Sequence, residues 1–343
     1  MATVEHLVAI AAQARAENIE CCYLDAVGYL DAADGASAGV DLALGSLVTV
    51  STPRELARHL RASRSRAVFV QSPYPEHYPE WFWPLVYDRT LAFTGYGLTL
   101  STWEHGLYGL ETFRRARHLL ADSPLVAAKY AEHGVDPSRV FMTGNPLLWE
   151  LRRREQSHDS QVDRLLWAPH WTATWFDEPR GFARWRETVR VVDAYAAGRP
   201  DAAITVRPHP LLLETIANDS DDDDIHAFRT LLGRPNVTLS SASMLDDIHA
   251  SSRLLTDGVS IIAYYASTGR PLGIVRDADS PRFNTTGEQL VAAADELATP
   301  RAVAEWLEAP TPDLDEGRRE LSRRLHPTMP DAPISVWARQ VGL

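Results

Sequence analysis

Cysteine is nearly absent from this chain. Cys21 and Cys22 are the only two in 343 residues, and they are adjacent. That excludes a disulfide framework and a cysteine-rich zinc site, and it predicts a reduced pair in a buried strand. No apolar run reaches the roughly 18 residues that span a bilayer. Residues Met1 to His6 lack a basic leader region, and the apolar stretch Leu7 to Ala12 is too short for a signal peptide. A cytoplasmic protein is expected. Basic residues are outnumbered 34 to 46, a net charge of −12. This argues against a general nucleic-acid binder, which draws most of its affinity from a basic surface. A local basic pocket for a phosphorylated small molecule stays compatible with it. There is no internal repeat of solenoid period. No histidine pair has metal-ligand spacing on one helix, and the five aspartates between Asn218 and Asp224 read as a solvated loop. Neither a metal nor a cofactor is expected.

What is present is an ordinary globular composition, 45% hydrophobic and 23% charged. At about 150 residues per domain, two domains are expected. Helical periodicity over Val4–Glu17 precedes a short strand at Ile19–Leu24 and another at Leu47–Val50. Thr52, Pro53 and Glu55 have the spacing of a helix start, for a helix running to Ala62. Ala67–Gln71 is a continuous apolar strand of the parallel, doubly covered type. Leu91–Thr94, His118–Ala121 and Val140–Thr143 are further strands, with a helix from Pro124 stopped by Gly134. Polar residues from Arg152 to Arg164 read as a linker. Beyond it, strands at 165–168, 203–207, 237–239, 253–256 and 272–275 alternate with helices at 181–197, 224–232, 244–250, 259–268, 286–294 and 300–308. The expected division is an N-terminal domain over 1–151, a linker over 152–164, a C-terminal domain over 165–322 and a C-terminal tail or helix over 323–343. Both domains read as α/β sandwiches, whose ligands bind beyond the carboxyl ends of the strands. Two such domains face to face place the site in the cleft between them.

Four segments stand at expected strand ends. In the first, Pro169 stops an apolar strand and presents His170, followed by Trp171 and Thr172. In the second, His209 sits between Pro208 and Pro210, two residues after Arg207, so a rigid histidine is joined by a permanent cation. A carbonyl-capping loop histidine is the plainer alternative. In the third, a strand turns through Thr256, Asp257 and Gly258 into a helix that opens at Ser260. Free amides there suit an anion, whereas helix capping by Asp257 or Ser260 is the ordinary explanation. The fourth runs from Gln71 through Tyr74 to Pro79 and is followed by Phe93-Thr94-Gly95-Tyr96-Gly97. Tyr74, Tyr96 and Gly97 suit acceptor positioning, and aromatic–proline packing is the alternative.

Taken together, these segments resemble the CDP-glycerol glycerophosphotransferase family, which builds teichoic-acid-like and capsular phosphodiester polymers. The resemblance rests on Ala168-Pro169-His170-Trp171-Thr172, then Arg207-Pro208-His209-Pro210, then Leu255-Thr256-Asp257 with Ser260 and an aromatic helix, then Gly269-Arg270-Pro271. It also takes in Ser123 through Pro146, and it covers roughly residues 67 to 295. It implies a GT-B fold, two Rossmann-like domains around a central cleft. It further implies that His209 and Ser260 contact the donor diphosphate, assisted by helix amides after Gly258. The sequence departs from the family twice. The usual Thr-Asp-Tyr-Ser-Ser is here Thr256-Asp257-Gly258-Val259-Ser260. The usual Trp-His-Gly-Thr-Pro of the N-terminal domain is absent, and Phe93 to Gly97 take its place. That motif supplies the family's base, so His170 and His105 are the available substitutes.

The resemblance implies a divergent transferase moving a polyol phosphate from a CDP-linked donor to an acceptor hydroxyl, with Arg207, His209, Thr256, Asp257, Gly258 and Ser260 on the donor. Catalysis would fall to His170, His105 and His209. The family's acceptor is a polyol or glycan, commonly lipid-linked. Arg114, Arg115, Arg117 and Arg152 to Arg154 suit contact with an anionic inner membrane face or, equally, a solvated helix face. Two other readings stay open: a GT-B glycosyltransferase using a nucleotide sugar, and a two-lobed binding protein without chemistry.

Overall fold

The computed structural model describes residues 2–16, 22–26, 46–62, 67–70, 72–75, 78–87, 90–94, 98–102, 107–155, 163–173, 180–218, 222–327 and 329–342. Twelve strands are found among them: β1 Cys22–Ala26, β2 Ser46–Val50, β3 Ala67–Val70, β4 Thr90–Phe93, β5 His118–Ala121, β6 Val140–Met142, β7 Arg164–Ala168, β8 Ala203–Val206, β9 Val237–Leu239, β10 Arg253–Thr256, β11 Leu272–Val275 and β12 Asp295–Leu297. The α-helices are α1 Ala2–Ala16, α2 Pro53–Ala62, α3 Phe82–Val86, α4 Glu111–Arg115, α5 Pro124–Glu132, α6 Pro146–Glu155, α7 Trp185–Gly198, α8 Pro210–Asn218, α9 Asp223–Leu232, α10 Met244–Ala250, α11 Ser260–Ala266, α12 Thr285–Ala292, α13 Pro300–Glu308, α14 Glu316–Leu325 and α15 Pro333–Val341. The chain divides into two compact units, one of residues 1–98, 103–150 and 326–343, the other of 99–102 and 151–325.

In the first unit β3, β4, β5 and β6 pair in parallel in that order, and β1 pairs in parallel with β2. The start of α2 is the capping box its sequence predicts. Glu55 Oε2 accepts the Ser51 and Thr52 amides at 2.8 and 3.0 Å, while Thr52 Oγ1 accepts the Glu55 amide at 3.3 Å. Gly134, at φ +80°, follows α5, a backbone geometry that suits glycine. One apolar cluster gathers Leu56, Phe82, Leu91, Phe93 and Phe113. A second gathers Ile10 and Ala14 of α1, Leu120 of β5, and Ile334 and Trp337 of α15. Residues 323–343 are expected as a C-terminal tail or helix, and α15 lies within them. In the structure His326 to Leu343 belong to this unit, and Trp337 donates its indole N–H to His118 Nδ1 at 3.0 Å. The helix α6 runs on through Arg152 to Glu155, where the sequence suggests a linker. The rest of that stretch, 156–162, lies outside the described residues, as does Cys21.

The second unit is built on a six-stranded parallel sheet of order β12-β11-β10-β7-β8-β9. Counted from β7, this is the 3-2-1-4-5-6 order of a Rossmann sheet, in which the chain reverses direction between the first and fourth strands. Residues 253–256 of β10 and 272–275 of β11 are buried throughout, as strands covered on both faces are. Trp167, Val189, Phe228, Leu255 and Val303 form the core on the side of α7, α9 and α13. Each such side chain contributes about 1.5–3 kcal/mol on burial. The helix expected from Gly181 starts only at Trp185. A Cβ on Gly181 would stand 2.0 Å from the Thr172 carbonyl oxygen, and its amide donates to Ala173 O at 2.6 Å, so residues 181–184 are held as a loop against the β7 end. Helix α8 directly after His209, helix α14 and strand β12 are not apparent from sequence.

Candidate functional site

The reversal point lies between β7 and β10, and the loops that leave those strands meet there. The ladder from β7 to β8 continues past the last paired residues. Arg207 N donates to Trp167 O at 2.8 Å and His209 N donates to Pro169 O at 3.0 Å. Hanging one loop on the other sets the His170 and His209 rings 5.3 Å apart between centroids.

The Nδ1 atoms of both rings are occupied. The Thr172 amide donates to His170 Nδ1 at 3.4 Å, which makes that nitrogen an acceptor, so the Thr172 hydroxyl at 2.9 Å donates to it as well while its oxygen accepts the Phe182 amide at 3.1 Å. In His209, Nδ1 accepts the Leu211 amide at 3.3 Å and caps α8. With Nδ1 an acceptor, each ring carries its proton on Nε2. Among the described residues neither Nε2 has a hydrogen-bond partner. Burial, with His209 beside it, pushes His170 down to about 3, and burial pushes His209 down to about 4. The pair is therefore two neutral N–H donors at the reversal point.

Asp257 holds this arrangement in place. Its Oδ1 accepts the His170 amide at 2.6 Å and its Oδ2 accepts the Arg184 amide. One carboxylate thus ties the ends of β7 and β10 to the loop before α7. Burial pushes its carboxyl up to about 7, against the pull of those amides and the Arg184 charge. Thr256 is buried, donating from Oγ1 to Ala168 O at 2.7 Å and accepting the Gly258 amide at 2.8 Å. Neither Asp257 nor Ser260 caps α11. The cap residue is Val259, without a side-chain bond, and Ser260 is exposed at the first helical position.

The remaining expected residues are distributed differently. Arg207 Nη1 donates to Asp247 Oδ2 and to Ala242 O, each at 2.8 Å, which anchors the loop after β9. Tyr74 is half-buried and packs against the first unit's apolar cluster, in line with the packing alternative. His105, Tyr96 and Gly97 lie outside the described residues. Asp222 caps α9 and pairs with Arg186, and Asp224 pairs with Arg190 at 3.0 Å. Among the described residues no group of three His, Cys, Asp or Glu side chains has the arrangement of a metal site. Arg115 pairs with Glu111, Arg152 donates to Ser322 and Arg154 pairs with Asp246, so these arginines are engaged within the chain. Among the described residues no helix is long and apolar enough to cross a membrane.

Thr172 stands in the sequence motif without a role of its own, and Arg184 carries no sequence signal. Arg184 is 4% exposed and its guanidinium bonds Asp277 Oδ1 and Ser280 Oγ. An arginine inside an apparent amphipathic helix gives no signal of this role. A cavity of about 620 Å3 lies along α12, lined by Arg276, Arg282, Phe283 and Glu288. Its lining does not include the two histidines, and Arg276 is neutralised by Glu288 at 3.2 Å.

No protein-family model matches the chain, and no curated protein does. Solved structures do. A co-structure of S. aureus MnaA with UDP is 11% identical, with a TM-score of 0.61 over 100% of this chain and 95% of that one. A putative UDP-N-acetylglucosamine 2-epimerase from Listeria monocytogenes is 12% identical, at 0.57 over 98% and 93%. A variant of the wall teichoic acid polymerase TagF soaked with CDPG is 15% identical, at 0.56 over 93% and 78%. The fold is GT-B-like. In those terms the second unit is the C-terminal Rossmann-like domain, and the two histidines stand at its reversal point, the position where such sheets bind ligands.

Proposed function

We propose that this protein is a transferase that holds a nucleoside-diphosphate-linked donor on the second unit, with the diphosphate on His170 and His209. The carrying observation is the pair of imidazoles at the β7 and β8 ends, with centroids 5.3 Å apart and each Nδ1 occupied, which leaves each Nε2–H to a ligand. Two fixed neutral donors stabilise phosphate oxygens without reorganising during reaction. Support comes from the Arg-Pro-His-Pro and Thr-Asp motifs, and from fold neighbours that were crystallised with UDP or soaked with CDPG. On the motif resemblance, the donor is a CDP-linked polyol. An acceptor hydroxyl gives its proton to a base and attacks the phosphorus next to the polyol, a new P–O bond forms, the bond to the CMP oxygen breaks, and CMP leaves with its charge held by the two imidazoles.

The same geometry favours another role for His170 than that of base. A base needs an open lone pair and a pKa near the working pH. The His170 Nδ1 lone pair is occupied and its pKa is about 3, so His170 serves as a donor to phosphate. Of the histidines considered for the base, His105 is then the one to test.

Thermal shift with CDP, CMP, UDP, GDP and ADP tests the donor. CDP should stabilise the protein most. A larger shift with UDP moves the assignment to a nucleotide-sugar enzyme, the reading favoured by the full-length match to the UDP-bound fold neighbour. Metal is a separate expectation. Asp222 and Asp224 of the run are paired with Arg186 and Arg190, and the positive electrostatics come from N–H groups. CDP affinity by titration calorimetry should be unchanged in excess EDTA. Loss on chelation with recovery on magnesium would overturn the metal-free clamp.

A further inference from the structure

Trp171 is a large side chain that the core does not use. It is 40% exposed, although the residues on either side of it are fixed. The His170 amide is bound by Asp257, and Thr172 is bound through its hydroxyl and carbonyl to Phe182 and Ala183. The indole therefore starts from a rigid backbone. Its ring lies 5.8 Å from His209 at an interplanar angle of 34°, and 6.3 Å from His170 at 32°. The indole thus stands beside both imidazoles, tilted by about the same angle from each. Leu211, two residues beyond His209, is 37% exposed and adds apolar surface near the capping nitrogen.

We propose that Trp171 is the stacking platform for the nucleobase of the donor. The inference rests on the reading that a nucleotide phosphate occupies the histidine pair. A nucleotide held there carries one planar, partly apolar group, its base, a single ribose away from the phosphate. An exposed indole beside the phosphate donors is matched to that group in shape and chemistry. Stacking of this kind tolerates any base, so Trp171 sets affinity for nucleotides over plain phosphates, and base identity is read by other groups. An indole on a backbone already held loses less freedom on binding, which favours affinity.

Calorimetric titration of CDP and of inorganic pyrophosphate into wild type, Trp171→Ala, Trp171→Phe and His209→Asn tests this. Wild type should bind CDP more tightly than pyrophosphate. Trp171→Ala should lose about ten-fold for CDP and nothing for pyrophosphate, and Trp171→Phe should recover most of the loss. His209→Asn should weaken both ligands. Because Trp171 lies outside the core, the variant should melt as wild type does, and a melting curve checks it. Equal losses for CDP and pyrophosphate in Trp171→Ala would make the indole a support for the histidines and overturn the platform. No loss for either ligand would overturn it as well, and leave the phosphate clamp standing if His209→Asn still weakens both. Failure of wild type to bind either ligand would overturn clamp and platform together.

Discussion

Asp257→Ala is expected to cost the second unit about 3 kcal/mol or more. The carboxylate is buried and satisfies two backbone amides, those of His170 and Arg184, on two different loops. Alanine leaves both without a partner, at roughly 1–3 kcal/mol for each buried donor. At this size about 3 kcal/mol lowers the melting temperature by roughly 6–12 °C. Asp257→Asn keeps one acceptor oxygen and turns a donor toward the other amide, so an intermediate loss is expected. The pH dependence separates the carboxyl from its shape. Its folded pKa, about 7, is raised above the ordinary carboxylate value. Its contribution is therefore complete below the unfolded pKa and is lost as pH rises through about 7. Wild type should melt lower at pH 8 than at pH 6, and Asp257→Asn should lose most of that difference. Scanning calorimetry of the two proteins reads both effects. An Asp257→Ala protein with a wild-type melting point would remove the tie between the three loops.

Much of this fold is legible in the chain because its strands are buried on both faces. Runs such as Leu165–Ala168 and Leu272–Val275 leave little alternative to a parallel sheet. Cap chemistry is local, so Thr52 with Glu55 and Ser123 before Pro124 mark helix starts without tertiary help. The elements that were missed depend on the fold itself. Helix α8 begins where Pro208 and Pro210 suggest only a rigid loop, and its first turn is completed by the His209 ring. The packing of residues 323–343 is not legible because nothing local says that Trp337 meets His118 and Phe69, more than two hundred residues earlier. The site shows the same division. Strand ends bearing histidine, and the Asp257–Gly258 turn, stand out by type and position. Their partners do not. Arg184, Thr172 and Gly181 act through backbone groups and close approach, which leave no mark on composition. Arg207 stands out as a free cation in sequence, and Asp247, forty residues away, takes up its charge in the structure.

The histidine pair gives the largest effect expected on ligand binding. His209→Asn and His209→Gln divide the ring's two roles. Asparagine places an oxygen where Nδ1 accepts the Leu211 amide, so it keeps the cap of α8 and removes the Nε2–H. Glutamine places an N–H near the Nε2 position. A hydrogen bond to a charged group contributes about 1.5–3 kcal/mol. His209→Asn should therefore weaken CDP binding about ten-fold or more, and His209→Gln should weaken it less. His170→Asn should behave as His209→Asn does. The double variant should lose less than the sum if both rings serve one phosphate group, because contacts that share a partner are not independent. The pH profile adds a second constraint. A clamp of protonated imidazoles with ordinary pKa values would lose about ten-fold in affinity per histidine for each pH unit above about 6.5. Rings held at about 3 and 4 are already neutral, and they donate from Nε2 without taking up a proton. CDP affinity should therefore stay level between pH 7 and pH 8.5, where the diphosphate is fully ionised. Calorimetric titrations over that range decide the question. A ten-fold fall per unit would mean that the rings bind as cations and that the Nδ1 contacts yield on binding. A His209→Asn protein with wild-type CDP affinity would return His209 to the role of a helix cap and leave the phosphate without its clamp.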